Sequence, residues 1–249
     1  MTKTSFATAA RQLSRGVQLV NTSGIRRFVI VPLVINISVF AIFGWAAYGW
    51  FVTWLERFAV MRWAAEIPVL SGLIGLMRGL IGTAVFVVLV FLIALFSNLL
   101  AAPFNGLLAE RVEAHLTGKP APDTPLKTLI KSIPRTIGSE IRKLLYLALM
   151  LIGIGILHFV PLVNIVAPFL LVAFGAWMFA IEYWDYPMGN HNAVFGDVRK
   201  FARQNKSAAF GFGGVVALVS SIPLLNFFVM PVAVAGATAL WVEHLQDDY

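Results

Sequence analysis

The sequence has no cysteine and little charge. The absence of Cys from all 249 residues excludes disulfides, thiol nucleophiles, iron–sulfur ligation and zinc sites built on Cys. Only 12% of the residues are Asp, Glu, Lys or Arg, about half the share of a soluble domain, whereas 59% are hydrophobic. This composition predicts an all-α integral membrane protein with a single membrane domain over 1–249. We expect no cleavable signal peptide, because the first charge-free run begins only at Phe28.

Catalytic and cofactor motifs are also missing from the sequence. The four histidines are scattered, and none of them belongs to an HExxH pattern. The glycines at Gly211, Gly213 and Gly214 lack the Lys-Ser/Thr pair that completes a phosphate-binding loop. We therefore predict no enzyme activity, no cofactor and no metal site. The net charge of +7 comes from few groups separated by apolar runs, which is typical of membrane topology and not of nucleic-acid binding.

Long charge-poor runs dominate the first half of the chain. They predict two long transmembrane helices, over 24–55 and 79–112, since about 20 apolar residues cross a bilayer. Before them, apolar residues recur at helical spacing over 3–20, which predicts an amphipathic helix in the membrane interface. The pair Gly75–Gly79 predicts close helix packing. After the second run, 119–143 is a polar segment that we expect in the cytoplasm.

The last two apolar runs, 144–184 and 207–245, predict helical hairpins that are each broken by a Pro-Leu-x-Asn sequence. Their tips, Pro161–Pro168 and Pro223–Pro231, carry no charge, although a turn that reaches water normally collects charged residues. We expect tips of this kind to dip into the membrane and return, so that the hairpins are partly re-entrant. Paired helices that cross fully remain an alternative, because the first half of the first run is long enough to span.

Basic residues are distributed unevenly along the chain. Sixteen of the 19 Lys and Arg residues lie before the first long run, after the second, or between the hairpins. The other three, Arg57, Arg62 and Arg78, lie between the two long runs. The positive-inside rule therefore predicts that both termini are cytoplasmic.

A polar turn, Asn21-Thr22-Ser23-Gly24-Ile25-Arg26-Arg27, stands directly before the first long run. Asn, Thr and Ser are common N-caps, so this turn is predicted to begin a helix whose free N–H groups and dipole attract an anion. Arg26 and Arg27 add fixed positive charge and forked donors suited to a tetrahedral oxyanion. The alternative is that both arginines only contact lipid phosphates at the membrane edge.

The second long run ends with a proline and a glycine that are both able to disturb a helix. Pro103 and Gly106 predict a break or bend, which would free backbone groups beside Asn105. Asn105, Glu110 and Arg111 are therefore a candidate ion path, in which Glu110 neutralises Arg111 when the path is empty. In this hypothesis they control flux and leave binding at the arginine turn nearly unchanged. A simple kink with an ordinary Glu–Arg pair is the alternative.

Several stretches together resemble the bacterial CysZ sulfate permeases over nearly the whole chain. They are Gly24–Arg27, Ala101–Glu110, Asp185–Pro187, Asn190–His191, Ile222–Asn226 and Met230–Ala233. The resemblance implies an inner-membrane protein that takes up sulfate for cysteine biosynthesis, with two long spanning helices, shorter partly inserted helices and an oligomeric assembly. It also implies a sulfate site at Gly24, Ile25, Arg26 and Arg27, the same turn that the helix-end electrostatics indicate.

These interpretations give the sulfate ion, the lipid bilayer and further copies of the same chain as partners. A channel and a secondary transporter are both compatible with them, and proton coupling stays open. The alternatives are a non-transporting membrane scaffold that uses Arg26 and Arg27 for lipid, and an enzyme acting on lipid head groups. The second of these needs an acid–base cluster, which we do not find in the sequence.

Overall fold

The computed structural model describes residues 4–57, 68–120 and 126–245. No strand occurs among these residues, which confirms the all-α prediction. The helices are α1 (Phe6–Val20), α2 (Arg27–Arg57), α3 (Pro68–Thr117), α4 (Leu126–Leu157), α5 (Ala167–Asn190), α6 (Phe195–Gln204), α7 (Lys206–Ser220) and α8 (Pro223–Leu240). A 3-10 turn at Val163–Ile165 leads into α5, and a π-helical turn at Trp241–Leu245 continues α8.

The internal contacts of the chain divide it into two units. Ile30–Phe104 is one unit and holds most of α2 and much of α3, whereas Met1–Val29 and Asn105–Tyr249 form the other. In the Ile30–Phe104 unit the described side chains are mostly exposed, as Trp45 illustrates with 84% exposure. Exposed apolar side chains of this kind suit a hydrocarbon environment or a contact with further protein.

Three of the described helical segments are long and apolar enough to cross a membrane. They are Arg27–Ala47 in α2, Val163–Asn190 around α5, and Phe228–Leu245 at the end of α8. The apolar helix α7 has only 15 residues, and at about 1.5 Å of rise per residue it is shorter than the ~30 Å hydrocarbon core. The fold therefore combines membrane-spanning lengths with shorter apolar helices.

Helix α1 begins after Ser5, whose hydroxyl oxygen accepts a hydrogen bond from the Thr8 amide at 3.1 Å. Its buried face includes Ala9, Leu13 and Leu19, and this face packs on α7 and α8. The amphipathic pattern of the sequence thus produces a helix with one buried face. Protein contacts, and not the membrane interface alone, hold it in place.

Close helix crossings occur at glycines in the larger unit. α1 crosses α8 where Gly16 meets Gly236, and a Cβ on either residue would collide with the opposing backbone. α7 approaches α5 in the same way at Gly213, which lies against the backbone of Ala176. By contrast, no atom of the described chain comes within 4 Å of a Cβ placed on either glycine of Gly75–Gly79. The close packing predicted for that pair is therefore absent from the contacts that the structure describes.

Two helices run through positions where the sequence suggested an interruption. α3 is continuous through Pro103 and Gly106, so the predicted break does not occur. A proline removes one backbone donor, but a continuous helix still satisfies the remaining backbone groups inside a membrane. α4 also runs unbroken across the expected boundary between 119–143 and the first hairpin. Residues 58–67, and residues 121–125 of the polar segment, lie outside the described part of the chain.

Candidate anion site

The turn between α1 and α2 is shaped by bonds to the helix that precedes it. The Asn21 amide donates to the Val17 carbonyl at 3.0 Å, and the Thr22 hydroxyl donates to the Gln18 carbonyl at 3.3 Å. Both side chains therefore bond to carbonyls in the last turn of α1, whereas the sequence suggested them as N-caps of α2. They do so because the last carbonyls of a helix lack intrahelical partners and lie within reach of short polar side chains that follow.

Gly24 turns the chain from α1 towards α2. Its φ is +90°, a backbone conformation that glycine adopts without strain. The next residue, Ile25, anchors the turn in the core with only 3% exposure, while the side chains of Arg26 and Arg27 are exposed. Since α2 begins at Arg27, both arginines are presented at the positive end of the helix dipole.

Three backbone N–H groups of this turn have no hydrogen-bond acceptor among the described residues. They belong to Ser23, Gly24 and Arg27. The amides of Ile25 and Arg26 donate instead to the Thr22 carbonyl, at 3.1 and 3.2 Å. Free amides at a helix N-terminus are common ligands of sulfate and phosphate. The backbone alone therefore offers donors that are suited to an oxyanion.

One aromatic ring connects Arg27 to a residue that is distant in the sequence. The guanidinium carbon of Arg27 lies 5.0 Å from the centroid of the Phe28 ring, and that of Arg111 lies 5.4 Å from the same centroid. Both distances are typical of cation–π contacts. Arg111, which the sequence assigned to a separate ion path, therefore lies beside the arginine turn. Phe28 was not a sequence-predicted site residue.

No carboxylate lies within ion-pair distance of these guanidinium groups in the described part of the chain. Arg26, Arg27 and Arg111 form no ion pair with any described residue. Like charges around one ring repel each other, and a bound dianion would relieve that repulsion. Three unpaired cations and three free amides thus make the turn and its surroundings suited to a small oxyanion.

Glu110 does not form the ion pair with Arg111 that the sequence suggested. The two residues are adjacent on α3, and consecutive side chains of a helix point about 100° apart. Glu110 is half-buried. Burial raises the pKa of Glu110 above its ordinary value of 4.5; the charge of Arg111 opposes this rise, and that of Glu113 adds to it. Glu110 therefore holds a proton more readily than an exposed carboxylate.

Three polar contacts hold the end of α3 against the end of α5. They are Asn105 Nδ2 to Tyr186 Oη (3.3 Å), Asn190 Nδ2 to the Gly106 carbonyl (3.1 Å), and Glu113 Oε1 to His191 Nε2 (2.8 Å). Asn105 is buried in the first of these contacts. Its amide therefore serves the contact between the two helices, and it is not presented to solvent as Arg111 and the arginine turn are.

Lys143 of α4 is a buried cation with 8% side-chain exposure. Its Nζ lies 2.9 Å from Glu182, 3.0 Å from Glu140 and 3.2 Å from Asp185. Burial acts to lower the pKa of Lys143, but the charges of Glu182 and Asp185 raise it further than burial lowers it. Lys143 is therefore protonated at neutral pH and ties α4 to α5. This gives the acidic residues near the end of α5 a structural role.

The helices and the arginine turn define a class: a helical membrane protein whose second helix begins beside free amides and exposed guanidinium groups, which are chemically suited to an oxyanion. A family model described as sulfate transporter CysZ/etoposide-induced protein 2.4 matches residues 12–231. The chain belongs to this family. The resemblance noted from the sequence motifs is thereby confirmed.

Several curated relatives match nearly the full chain. The sulfate transporter CysZ of Vibrio cholerae, Classical Ogawa strain, is 39% identical over 241 residues, covering 95% of this chain and 93% of the relative. The protein of the same name from the El Tor Inaba strain is 41% identical over 234 residues, covering 92% and 90%. That of Vibrio parahaemolyticus is 40% identical over 233 residues, covering 93% and 92%.

Proposed function

We propose that this protein carries sulfate across the bacterial inner membrane and so supplies sulfur for cysteine biosynthesis. The proposal is supported by membership of the family and by the name that its relatives share. The observation that carries it is the turn at Gly24–Arg27, where free amides and unpaired guanidinium groups meet at the start of α2.

In this proposal sulfate binds at Gly24, Ile25, Arg26 and Arg27. A tetrahedral dianion has four acceptor oxygens, and the amides of Gly24 and Arg27 together with the two guanidinium groups offer donors for them. Charge-assisted hydrogen bonds of this kind contribute about 1.5–3 kcal/mol each. Ile25 acts through its buried side chain, because that anchor fixes the position of the turn.

The proposed ion path consists of Asn105, Glu110 and Arg111. Arg111 shares the Phe28 ring with Arg27, so it is able to take part in binding as well as in passage of the ion. Glu110 takes up a proton when sulfate is near, because a dianion raises the pKa of a neighbouring carboxyl group. Asn105 acts indirectly, since its amide is engaged with Tyr186 and keeps α3 on α5.

The proposal includes cytoplasmic termini, partly re-entrant hairpins and an assembly of several copies. Re-entry is supported by the shortness of α7 and by the exposed apolar tips, since Leu162 in the first tip is 84% exposed. An assembly is supported by the exposed apolar side chains of the Ile30–Phe104 unit, which offer a surface for other copies.

Uptake of radiolabelled sulfate into proteoliposomes that contain only this protein tests the function directly. The parent protein is expected to carry sulfate, and the double variant R26A/R27A is expected to lose most of the flux. R142A is the matched control, because Arg142 is an exposed arginine of α4 that forms no ion pair with a described residue. Absence of flux in the folded parent would favour the scaffold alternative and contradict the proposal.

A further inference from the structure

A groove between α1, α7 and α8 forms a second potential ligand site, away from the arginine turn. Its volume is about 560 Å³, within the ~300–1,000 Å³ of ordinary small-molecule sites. Most of the side chains that line it are apolar, among them Leu13, Val17, Val219, Phe228 and Val232. Arg11 and Ser14 of α1 are the polar exceptions. The groove is therefore an apolar slot with one cationic edge.

Arg11 is unpaired, unlike the next arginine along α1. Its guanidinium forms no hydrogen bond or ion pair with a described residue, and the Ser14 hydroxyl donates only to the Arg11 carbonyl. Arg15, one turn further, donates instead to Glu243 at 3.3 Å. A free cation beside an apolar slot is the chemical complement of a molecule with an anionic head and a hydrocarbon tail.

The far end of the groove reaches the apolar tip of the α7–α8 hairpin. Leu225 and Phe228 line it there, and their side chains are 44% and 56% exposed. A charged arginine side chain of a membrane protein extends to the level of the lipid head groups, because an unpaired charge is unfavourable in the hydrocarbon. Arg11 then lies near the phosphates, and Leu225 and Phe228 lie towards the hydrocarbon. In this placement the groove runs from the head-group level into the acyl-chain region, as a lipid molecule of one leaflet does.

We propose that this groove binds an anionic phospholipid, with an acyl chain between α1 and the α7–α8 hairpin and the phosphate on Arg11. A guanidinium group binds a phosphate through two parallel hydrogen bonds, and basic pockets between membrane helices bind anionic head groups. The bound lipid fastens α1 to the hairpin. This inference does not depend on sulfate transport, because the groove is lined by α1 itself, whereas the proposed sulfate site is the turn that follows α1.

Native mass spectrometry of the detergent-purified protein, with phosphatidylglycerol or phosphatidylcholine added, tests the proposal. The parent is expected to retain phosphatidylglycerol in preference to phosphatidylcholine. R11Q is expected to lower the affinity for phosphatidylglycerol about fivefold, the contribution of one basic residue near an anionic surface. R11K should restore most of it. R203Q is the matched control, since Arg203 is exposed and forms no ion pair with a described residue, and it should behave as the parent.

A second pair of variants tests whether the acyl chain occupies the slot. V219F fills the groove from α7 and should lower retention of both lipids, whereas L218F on the neighbouring exposed position should not. The proposal is overturned if R11Q or V219F retains phosphatidylglycerol as the parent does, or if phosphatidylcholine binds the parent equally well. If F228C forms disulfide-linked dimers that no longer retain the lipid, a second copy of the chain occupies the groove, and the lipid proposal is overturned as well.

Discussion

Arg27 and Arg111 lie against one aromatic ring, with guanidinium carbons 5.0 and 5.4 Å from the centroid of Phe28. Arg27 is the first residue of α2, and Arg111 lies near the end of α3. The ring thus gathers two cations that have no carboxylate partner among the described residues. Arg111 therefore adds a third positive charge at the start of α2, where the sequence alone indicated only Arg26 and Arg27.

Removal of both arginines of the turn should abolish most of the equilibrium binding of sulfate. R26A/R27A deletes two charge-assisted contacts, each of which contributes about 1.5–3 kcal/mol, so the affinity should fall by well over tenfold. Isothermal titration calorimetry on folded protein measures this. R142A provides the control and should bind as the parent does. Sulfate binding that is unchanged in the double variant would rule the turn out as the site.

Arg111 should contribute to binding as well as to transport, because it shares the Phe28 ring with Arg27. R111A is expected to weaken sulfate binding by about tenfold, which corresponds to the free energy that one charge-assisted hydrogen bond contributes at the lower end of the usual range. R111K keeps the charge but loses the flat guanidinium contact, and it should fall between the parent and R111A. If R111A lowers flux and leaves the calorimetric affinity unchanged, Arg111 acts only on the path, as the sequence-based hypothesis had it.

The sequence predicted local features well and long-range contacts poorly. Helical periodicity located α1 to within a few residues, and the polar residues before Phe28 located the turn. The role of Phe28 was missed, because it depends on the packing of Arg111 from α3, although an aromatic residue directly after two arginines was an available signal. For the same reason a close helix crossing was expected at Gly75–Gly79, whereas the described chain has such crossings at Gly16 and Gly236, where α1 meets α8, and at Gly213, where α7 meets α5.

Gly213 should tolerate no side chain, whereas its neighbour should. In G213A the new Cβ collides with the Ala176 carbonyl of α5, and little adjustment is possible because the contacting atoms belong to the backbone. We expect a loss of about 1–3 kcal/mol or more in the free energy of unfolding, measured by thermal denaturation in detergent. G214A has open space and should be neutral or up to ~1 kcal/mol more stable, as for alanine in a helix. Equal melting temperatures for the two variants would contradict this crossing.

The charge-free hairpin tips should be inaccessible to water-soluble reagents. Single cysteines at Val163 and Leu225 suit the test, because the chain has none of its own. We expect an impermeant maleimide added from the periplasmic side to label neither position. A cysteine at the exposed Lys119 provides the control and should be labelled from the cytoplasmic side. Rapid periplasmic labelling of both tips would mean that the hairpins cross the membrane fully.

Glu110 should make sulfate binding depend on pH. Burial raises its pKa above 4.5, so between pH 4.5 and the raised value the folded protein holds a proton that the unfolded chain releases. The stability that this group contributes to the fold therefore falls as the pH rises through that range. Above it, Glu110 is ionised, and its negative charge repels a dianion bound beside Arg111. Sulfate affinity should accordingly increase as the pH is lowered through the range in which Glu110 takes up its proton.

E110Q removes the titrating charge while it keeps the size and polarity of the side chain. It should bind sulfate more tightly than the parent near neutral pH, and its affinity should change less over the same pH range. E243Q is a suitable control, because Glu243 bonds to Gln12 and Arg15 of α1 and should leave the pH dependence of the parent intact. Calorimetric titrations of the three proteins at several pH values decide the matter. If E110Q and the parent show the same slope, the ion does not pass close to Glu110, and protonation of another group controls binding.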